Sequence, residues 1–346
     1  MSKTHSEEEE QTEPIGTLCP LRCVSRPRIA LLSNPKSTRN LAELSKIRDY
    51  CADHPDIFHY EVERADQIGD ALRTIARVRP KMLVINGGDG TVQSALTEMH
   101  NGRYFGDQPP PVSVLPSGKT NLIALDLGVR GDPISALEQL VEIAQGDLES
   151  HIVAREVIAL RKDGSERPVI GMFLGGAGLA DTMLFCRHKI YPLGLPNGLS
   201  HVLAGMALFI RLLLKLKAGF LPPPPQPTEL LLRKRWRLSG KFVFLAVTTL
   251  EKLLLASQLG GEGGGRLKLV AIEERPASVI RAIFTGIAGG YRGQKMRGIH
   301  FAEVDEIEIE ADSSSVILDG EIFRTEKGRP IRLNPAEPLS FVKLAA

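Results

Sequence analysis

Short apolar runs and helical spacings alternate along the first half of the chain. Arg28–Ser33, Phe58–Val62, Met82–Ile85 and Val112–Leu115 are the size of buried strands. Between them lie helical patterns. Leu41–Tyr50 is one, and Gln67–Val78 places Ile68, Ala71, Leu72 and Ile75 on one face. A third begins at Thr91 and carries Val92, Ala95, Leu96 and Met99, with others from Leu122 and over Asp132–Gln145. This βαβα order predicts parallel strands joined by helical crossovers. Near residue 148 the texture changes. His151–Arg161, Val169–Leu174, Leu230–Leu238, Phe242–Thr248, Leu267–Ile272 and Glu306–Glu310 are β-type runs separated mostly by turns. They predict a strand-rich second domain, a sandwich or partly open barrel. Residues 1–26 carry the acidic run Glu7–Glu10, lack apolar periodicity and read as a disordered tail. The expected division is therefore 1–26, 27–147 and 148–346, with the last residues packing back on the first domain.

Residues 199–221 interrupt the strand pattern with an apolar stretch of nearly membrane-spanning length. Arg211, Lys215 and Lys217 lie inside it, and each would cost several kcal/mol at a bilayer centre, so a spanning helix is excluded. An amphipathic helix remains, docked either on the domain's own core or at a bilayer interface. Pro222–Pro225 ends it, and the cluster 233–237 (Arg-Lys-Arg-Trp-Arg) suits either a solvated strand face or anionic head groups.

Composition narrows the classes further. A length of 346 residues favours two domains, and a net charge of +2 with 5% aromatics gives no field or stacking surface for nucleic acid. The four cysteines, Cys19, Cys23, Cys51 and Cys186, have no metal-ligand spacing that pairs with histidines and are expected as reduced thiols. The N-terminus is polar and acidic, unlike a signal peptide, which points to a cytoplasmic protein with optional membrane contact.

The chemistry concentrates in residues 81–100. The Met82–Ile85 strand runs into Asn86-Gly87-Gly88-Asp89-Gly90 and then a helix from Thr91. A strand, a glycine turn and a helix N-terminus in that order make an anion site. A carboxylate, Asp89, inside such a loop makes sense if Mg²⁺ lies between it and a phosphate. A second strand–loop–helix turn carries Gly118, Lys119, Thr120 and Asn121. It is not a Walker A loop, because the glycine required five positions before Gly118 is Ser113. Two such turns at the carboxyl ends of neighbouring parallel strands would converge on one crevice. Asn34-Pro35-Lys36-Ser37, after the first strand, reads equally as a nucleotide contact or a helix-capping loop. Gly175–Gly178 reads equally as a close backbone approach or a ligand contact. Gly260–Gly265 reads as a hairpin connection without chemistry. Asp319-Gly320 between apolar flanks reads by pattern as a hairpin turn.

Taken together, these motifs resemble the diacylglycerol kinase catalytic-domain family, with sphingosine and ceramide kinases as relatives. The residues that carry the resemblance are Asn34-Pro35-x-Ser37, Gly69-Asp70-Ala71, Gly87-Gly88-Asp89-Gly90-Thr91, Pro116-x-Gly118-x-x-Asn121, the Gly178 stretch and Leu318-Asp319-Gly320-Glu321. NAD kinases share the first glycine loop, whereas the late Asp-Gly-Glu favours the lipid-kinase branch. The resemblance implies an α/β N-terminal, Rossmann-like three-layer nucleotide domain followed by an all-β sandwich, with the active site between them. It implies transfer of the ATP γ-phosphoryl group to a lipid hydroxyl with Mg²⁺. Gly87, Gly88, Asp89, Gly90 and Thr91 would bind the ATP phosphates, with Asp89 at the metal. Asn34, Gly118, Lys119, Thr120 and Asn121 would help seat the nucleotide. Asp319 would be the general base, supported by Glu321.

The departures from the family pattern are Gln93 and Ser94 in place of Asn-Glu, Ala65 in a threonine position and Lys119 in another. Glu98, one turn beyond Ser94, is a candidate replacement for the lost glutamate. They keep two alternatives open: a kinase of a small soluble alcohol such as NAD, and a nucleotide-binding regulator without catalysis. The expected partners are a lipid such as diacylglycerol, a membrane surface at 199–221 and 233–237, and no nucleic acid; a homodimer is left open.

Overall fold

The computed structural model describes residues 28–162, 165, 167–190, 203, 205–208, 210–211, 221–232, 236–250, 265–287 and 296–344. The expected tail 1–26 with Cys19 and Cys23, most of the expected 199–221 helix, residues 233–235 and Gly260–Gly264 lie outside them.

The first layer is a parallel sheet in the order β2-β1-β3-β4, built from β1 (Ile29–Ser33), β2 (Ile57–Glu61), β3 (Met82–Gly87) and β4 (Val112–Pro116). Every residue of β1 and β3 is buried, which requires cover on both faces of the sheet. That cover comes from α1 (Asn40–Asp53), α2 (Ile68–Val78), α3 (Asp89–Gly102), α4 (Leu122–Asp126) and α5 (Pro133–Gln145). The start of α5 is set by chemistry legible in the sequence. Asp132 Oδ2 accepts from the N–H groups of Ile134 (3.0 Å) and Ser135 (3.1 Å), and Pro133 takes the first position, where no N–H is needed.

The second region is all-β apart from two helices. β15 (Ile331–Val342) pairs along most of its length with β5 (Ile152–Lys162), which also pairs β6 (Val169–Gly171). On its other side β15 pairs β12 (Ile307–Glu310), followed by β8 (Pro227–Leu232) and β9 (Trp236–Thr248). The expected single strand Leu230–Leu238 is thus two strands that pair with each other, Leu232 facing Trp236. β9 then bends into a second sheet. There β10 (Leu267–Glu273) and β11 (Ile299–Val304) lie on one side, and β7 (Phe173–Gly176), β13 (Ser315–Leu318) and β14 (Glu321–Arg324) on the other. Phe242, Leu245, Val247, Leu269, Val316 and Leu333 belong to the core between the two sheets.

Beyond its long pairing, β15 reaches the parallel sheet, where Phe341 pairs with Val112 of β4. Phe341, Val342, Ala159 and Met172 are part of the same core cluster as β1 and β3. The two regions therefore share one hydrophobic core at their junction.

The outer face of the second sheet carries α6 (Ala177–Phe185) and α7 (Pro276–Ile287). α6 approaches β9 backbone to backbone at Gly178. A Cβ there would lie 2.7 Å from Val243 O and 2.9 Å from Val243 Cα. The glycine stretch is thus a close approach to a neighbouring strand. Gly178→Ala is expected to destabilise the protein by about 1–3 kcal/mol, because backbone cannot yield as a flexible side chain does. Thermal unfolding checks this; an unchanged Tm would mean that α6 can lift off β9 at no cost.

Candidate active site

Polar residues stand at the carboxyl ends of three apolar strands and lock those ends together. Asn86 in β3 is fully buried. Its Nδ2 donates to Ser33 Oγ of β1 (3.0 Å), and its Oδ1 accepts from Ser117 Oγ beyond β4 (2.5 Å). Such a network in a low-dielectric interior fixes the relative height of the strand ends, and so of the loops that leave them. Neither Ser33 nor Ser117 was singled out from the sequence. The available signal was a lone polar residue closing an apolar strand.

The glycine loop is positioned by this platform. A Cβ on Gly87 would lie 2.7 Å from Thr91 Cβ, so only glycine lets α3 start there. Gly88 N donates to Ser37 Oγ (3.2 Å), and Asn34 Nδ2 donates to Thr91 Oγ1 (2.9 Å). Asn34 Oδ1 also accepts from Lys36 N (2.9 Å). The Asn34–Ser37 segment therefore clasps the glycine loop from one side.

The second loop closes from the other side. A Cβ on Gly118 would lie 2.7 Å from Gly88 Cα, so the two loops touch through backbone alone. Asn121 takes a left-handed conformation (φ 55°), and its side chain spans the loop, with Oδ1 accepting from Gly118 N (2.7 Å) and Nδ2 donating to Gly118 O (3.0 Å). Asp89 reaches beneath this loop and accepts from the backbone N–H groups of Asn121 and Leu122 at the start of α4. Burial nevertheless pushes its carboxyl up to about 6, against the pull of those two donors. Lys119 and Thr120 are exposed on the same loop. If these loops seat ATP as the motif resemblance implies, Gly118→Ala is expected to raise KM for ATP about tenfold, since the added methyl must force the loops apart. An unchanged KM would separate this contact from nucleotide binding.

The third component comes from the β-region. Asp319 and Gly320 form the β13–β14 turn with φ of 42° and 95°, so the hairpin reading of this dipeptide holds. The same turn carries a buried acid. Asp319 is 5% exposed, and its Oδ2 accepts from Met172 N (2.7 Å) and Oδ1 from Phe173 N (3.0 Å). Burial is the main force that raises its carboxyl to about 8. The charge of Asp89 adds to the rise, and the two N–H donors oppose it. Gly171 makes room for it, because a Cβ there would lie 2.6 Å from Asp319 Oδ2. The turn faces the glycine loop: a Cβ on Gly90 would sit 3.5 Å from Glu321 Oε1 and 4.0 Å from Asp319 O.

A cleft of about 250 Å³ opens here, lined by Asn34, Ser37, Gly88, Gly90, Thr91 and Glu321 among others. Ala65 and Ser94, two of the departures from the family pattern, line it as well. Glu98 does not stand in for a glutamate there. It packs over Gly69 and accepts from the Tyr104 hydroxyl (3.1 Å), away from the cleft. Asp70 pairs with Arg73 on the exposed surface of α2.

Among the described residues no group of three or more His, Cys, Asp or Glu is clustered as a metal cage. The charge of Asp89 reaches Asp319, and burial raises both carboxyls, to about 6 and about 8. That donor set fits Mg²⁺, which binds through one or two carboxylates and substrate phosphates rather than an all-protein cage.

Residues 28–150 match the family described as "Diacylglycerol kinase catalytic domain". A diacylglycerol kinase structure from Bacillus anthracis str. Sterne superposes with a TM-score of 0.59 at 14% identity, covering 92% of this chain and 97% of that one. A second structure from the same organism gives a TM-score of 0.61 at 16% identity, with the same shares of the two chains. At such identities the likeness is one of fold. No curated protein matches the chain by sequence.

Proposed function

We infer, from the match of residues 28–150 to the diacylglycerol kinase catalytic domain family, that the chain is an ATP-dependent lipid kinase acting on diacylglycerol or a related lipid alcohol. The observation that carries the reading is the meeting of the Asp319–Glu321 turn with Gly90 at the start of α3. It brings a buried carboxylate to the anion-binding end of a helix.

The chemistry assigned to the residues follows from this placement. The N–H groups at the start of α3, with Gly118 drawn against Gly88, receive the ATP phosphates. The acceptor hydroxyl gives its proton to Asp319 as its oxygen bonds to the γ-phosphorus, and ADP leaves with the bridging oxygen and its electrons. Glu321, exposed at the rim, orients the acceptor. Asp89, with Asp319 beside it, would hold Mg²⁺, which when bound neutralises phosphate charge.

Transfer of labelled γ-phosphate from ATP into a total lipid extract, with products separated by polarity, tests the reading. Label in a lipid species is the expected result. Label only in a water-soluble product would favour a kinase of a small alcohol, and no label with ATP still bound would favour a regulatory protein.

A further inference from the structure

Helix α7 is amphipathic in the reverse sense for a surface helix. Its small and polar residues Ser278 and Ala282 are buried, with Ala282 and Val279 packing against Val243, Val270, Ile272 and Ile299 of the sheet beneath. Its large apolar residues face out: Ile280 is 39% exposed, Ile283 48% and Phe284 68%. A cluster of side chains this size is left in water at a cost unless something covers it. Described residues before β8 add to the exposed apolar side chains. Met206 and Ile210 are exposed, and buried Arg211 donates to Glu274 Oε1 (3.0 Å), two residues before α7 begins.

The charge around this face points to one kind of cover. The sequence holds no carboxylate between Asp181 and Glu229, nor between Glu274 and Glu303, and its charged residues there are all cations. Of these, Arg281 and Arg297 are exposed around α7, Arg275 at its start is paired with Glu273, and Arg187 and Lys189 are exposed beyond α6. The Arg281 guanidinium donates to Arg297 O (2.5 Å), which holds both at the helix's flank. Since the whole chain carries only +2, this is a local concentration of positive charge. Carboxylates stand only at the start of α7, where Glu273 pairs with Arg275 (2.9 Å) and Glu274 with Arg211 (3.0 Å). Large apolar side chains flanked by the exposed cations Arg281 and Arg297 match the boundary between acyl chains and anionic head groups.

We propose that the outward face of α7, with Ile280, Ile283 and Phe284, docks the protein on an anionic lipid bilayer. The inference rests on the lipid-kinase reading for its purpose and names the face that meets the substrate's own phase. Both α6 and α7 pack on β9 around Val243, and α6 also covers β7. β7 pairs β13, which leads into the Asp319 turn, so the sheet that carries α6 and α7 also carries that turn.

The test is co-sedimentation of the full chain with phosphatidylglycerol–phosphatidylcholine vesicles, for wild type and an Ile283→Glu/Phe284→Glu variant. Phosphoryl transfer to a short-chain diacylglycerol kept below its aggregation limit is measured alongside. The variant is expected to lose at least about tenfold in vesicle partition, with Tm and transfer to the dispersed substrate unchanged. Salt near about 1 M should release the wild type by screening. Vesicle binding by the variant equal to wild type would overturn the proposal. So would conversion of a wild-type dimer to a monomer with vesicle binding unaffected, since the face would then join two copies. Loss of docking together with no transfer to any lipid would leave the docking face standing and sink the kinase reading. If the variant's Tm falls, the probe is Phe284→Trp in a Trp236→Phe background, Trp236 being the one tryptophan. Its emission should shift to the blue with anionic vesicles, and unchanged emission would overturn the proposal.

Discussion

Asp319→Asn should cut kcat by about 10²–10⁴ while leaving ATP affinity within about twofold, the range for removing a positioned general base. The structural reason is that Asp319 lies on the β-region side of the junction and the glycine loops assigned to the nucleotide lie on the other. The amide keeps the side chain's shape but cannot take up a proton. It also turns an NH₂ group toward one of two backbone donors, Met172 N or Phe173 N, both of which now point at carboxylate oxygens. Some loss of packing precision is therefore built into the variant, and ATP affinity is the control for it. Retention of turnover would remove Asp319 from the chemistry. The wild-type rate should rise with pH as this carboxyl, held up to about 8, becomes ionised.

The same shift has a sign for stability. A carboxyl raised in the folded state binds a proton there that the unfolded chain releases near pH 4. The stabilisation attached to Asp319 is thus fully present below about pH 4 and is lost as pH climbs through about 8. The difference in Tm between pH 5.5 and pH 8.5 should therefore shrink in Asp319→Asn.

Asp89→Asn is expected to cost about 10²–10³ in Mg²⁺-dependent turnover, the scale of losing one strong electrostatic stabiliser. The asparagine oxygen can still accept an N–H from the 118–122 loop, so the fold of that loop is retained while the charge is removed. Two readouts distinguish charge from shape. The Mg²⁺ concentration for half-maximal rate should rise, and the pH at which the rate turns on should move down, because the Asp89 charge helps hold Asp319 protonated. An unmoved Mg²⁺ titration would take Asp89 out of the metal's ligand set.

Much of the first layer was legible because its forces are local. Strand-sized apolar runs, 3.6-residue spacings and the Asp132-Pro133 helix start each declare themselves within a few residues. The Asp319-Gly320 dipeptide shows the limit of such reading. Its backbone is the turn that its pattern announces, but the acid is also buried against Met172 and Phe173, far away in the chain. Gly171, which makes room for that acid, and the Ser33–Asn86–Ser117 network are likewise contacts between distant segments, without periodic trace. Helix α7 escaped notice for a different reason. Val279, Ile280, Ile283 and Thr285 are β-branched and Gly286 disfavours helix, so propensity argues against the structure that packing imposes.

The path of β15 bears on how the protein is made. Phe341 and Val342 complete the core of a sheet whose other strands lie between Ile29 and Pro116. During synthesis the N-terminal segment leaves the ribosome long before those residues exist. Until they arrive the outer edge of β4 is an unpaired strand, a template for pairing with other chains. The nascent α/β layer therefore lacks part of its own core until a segment translated much later arrives.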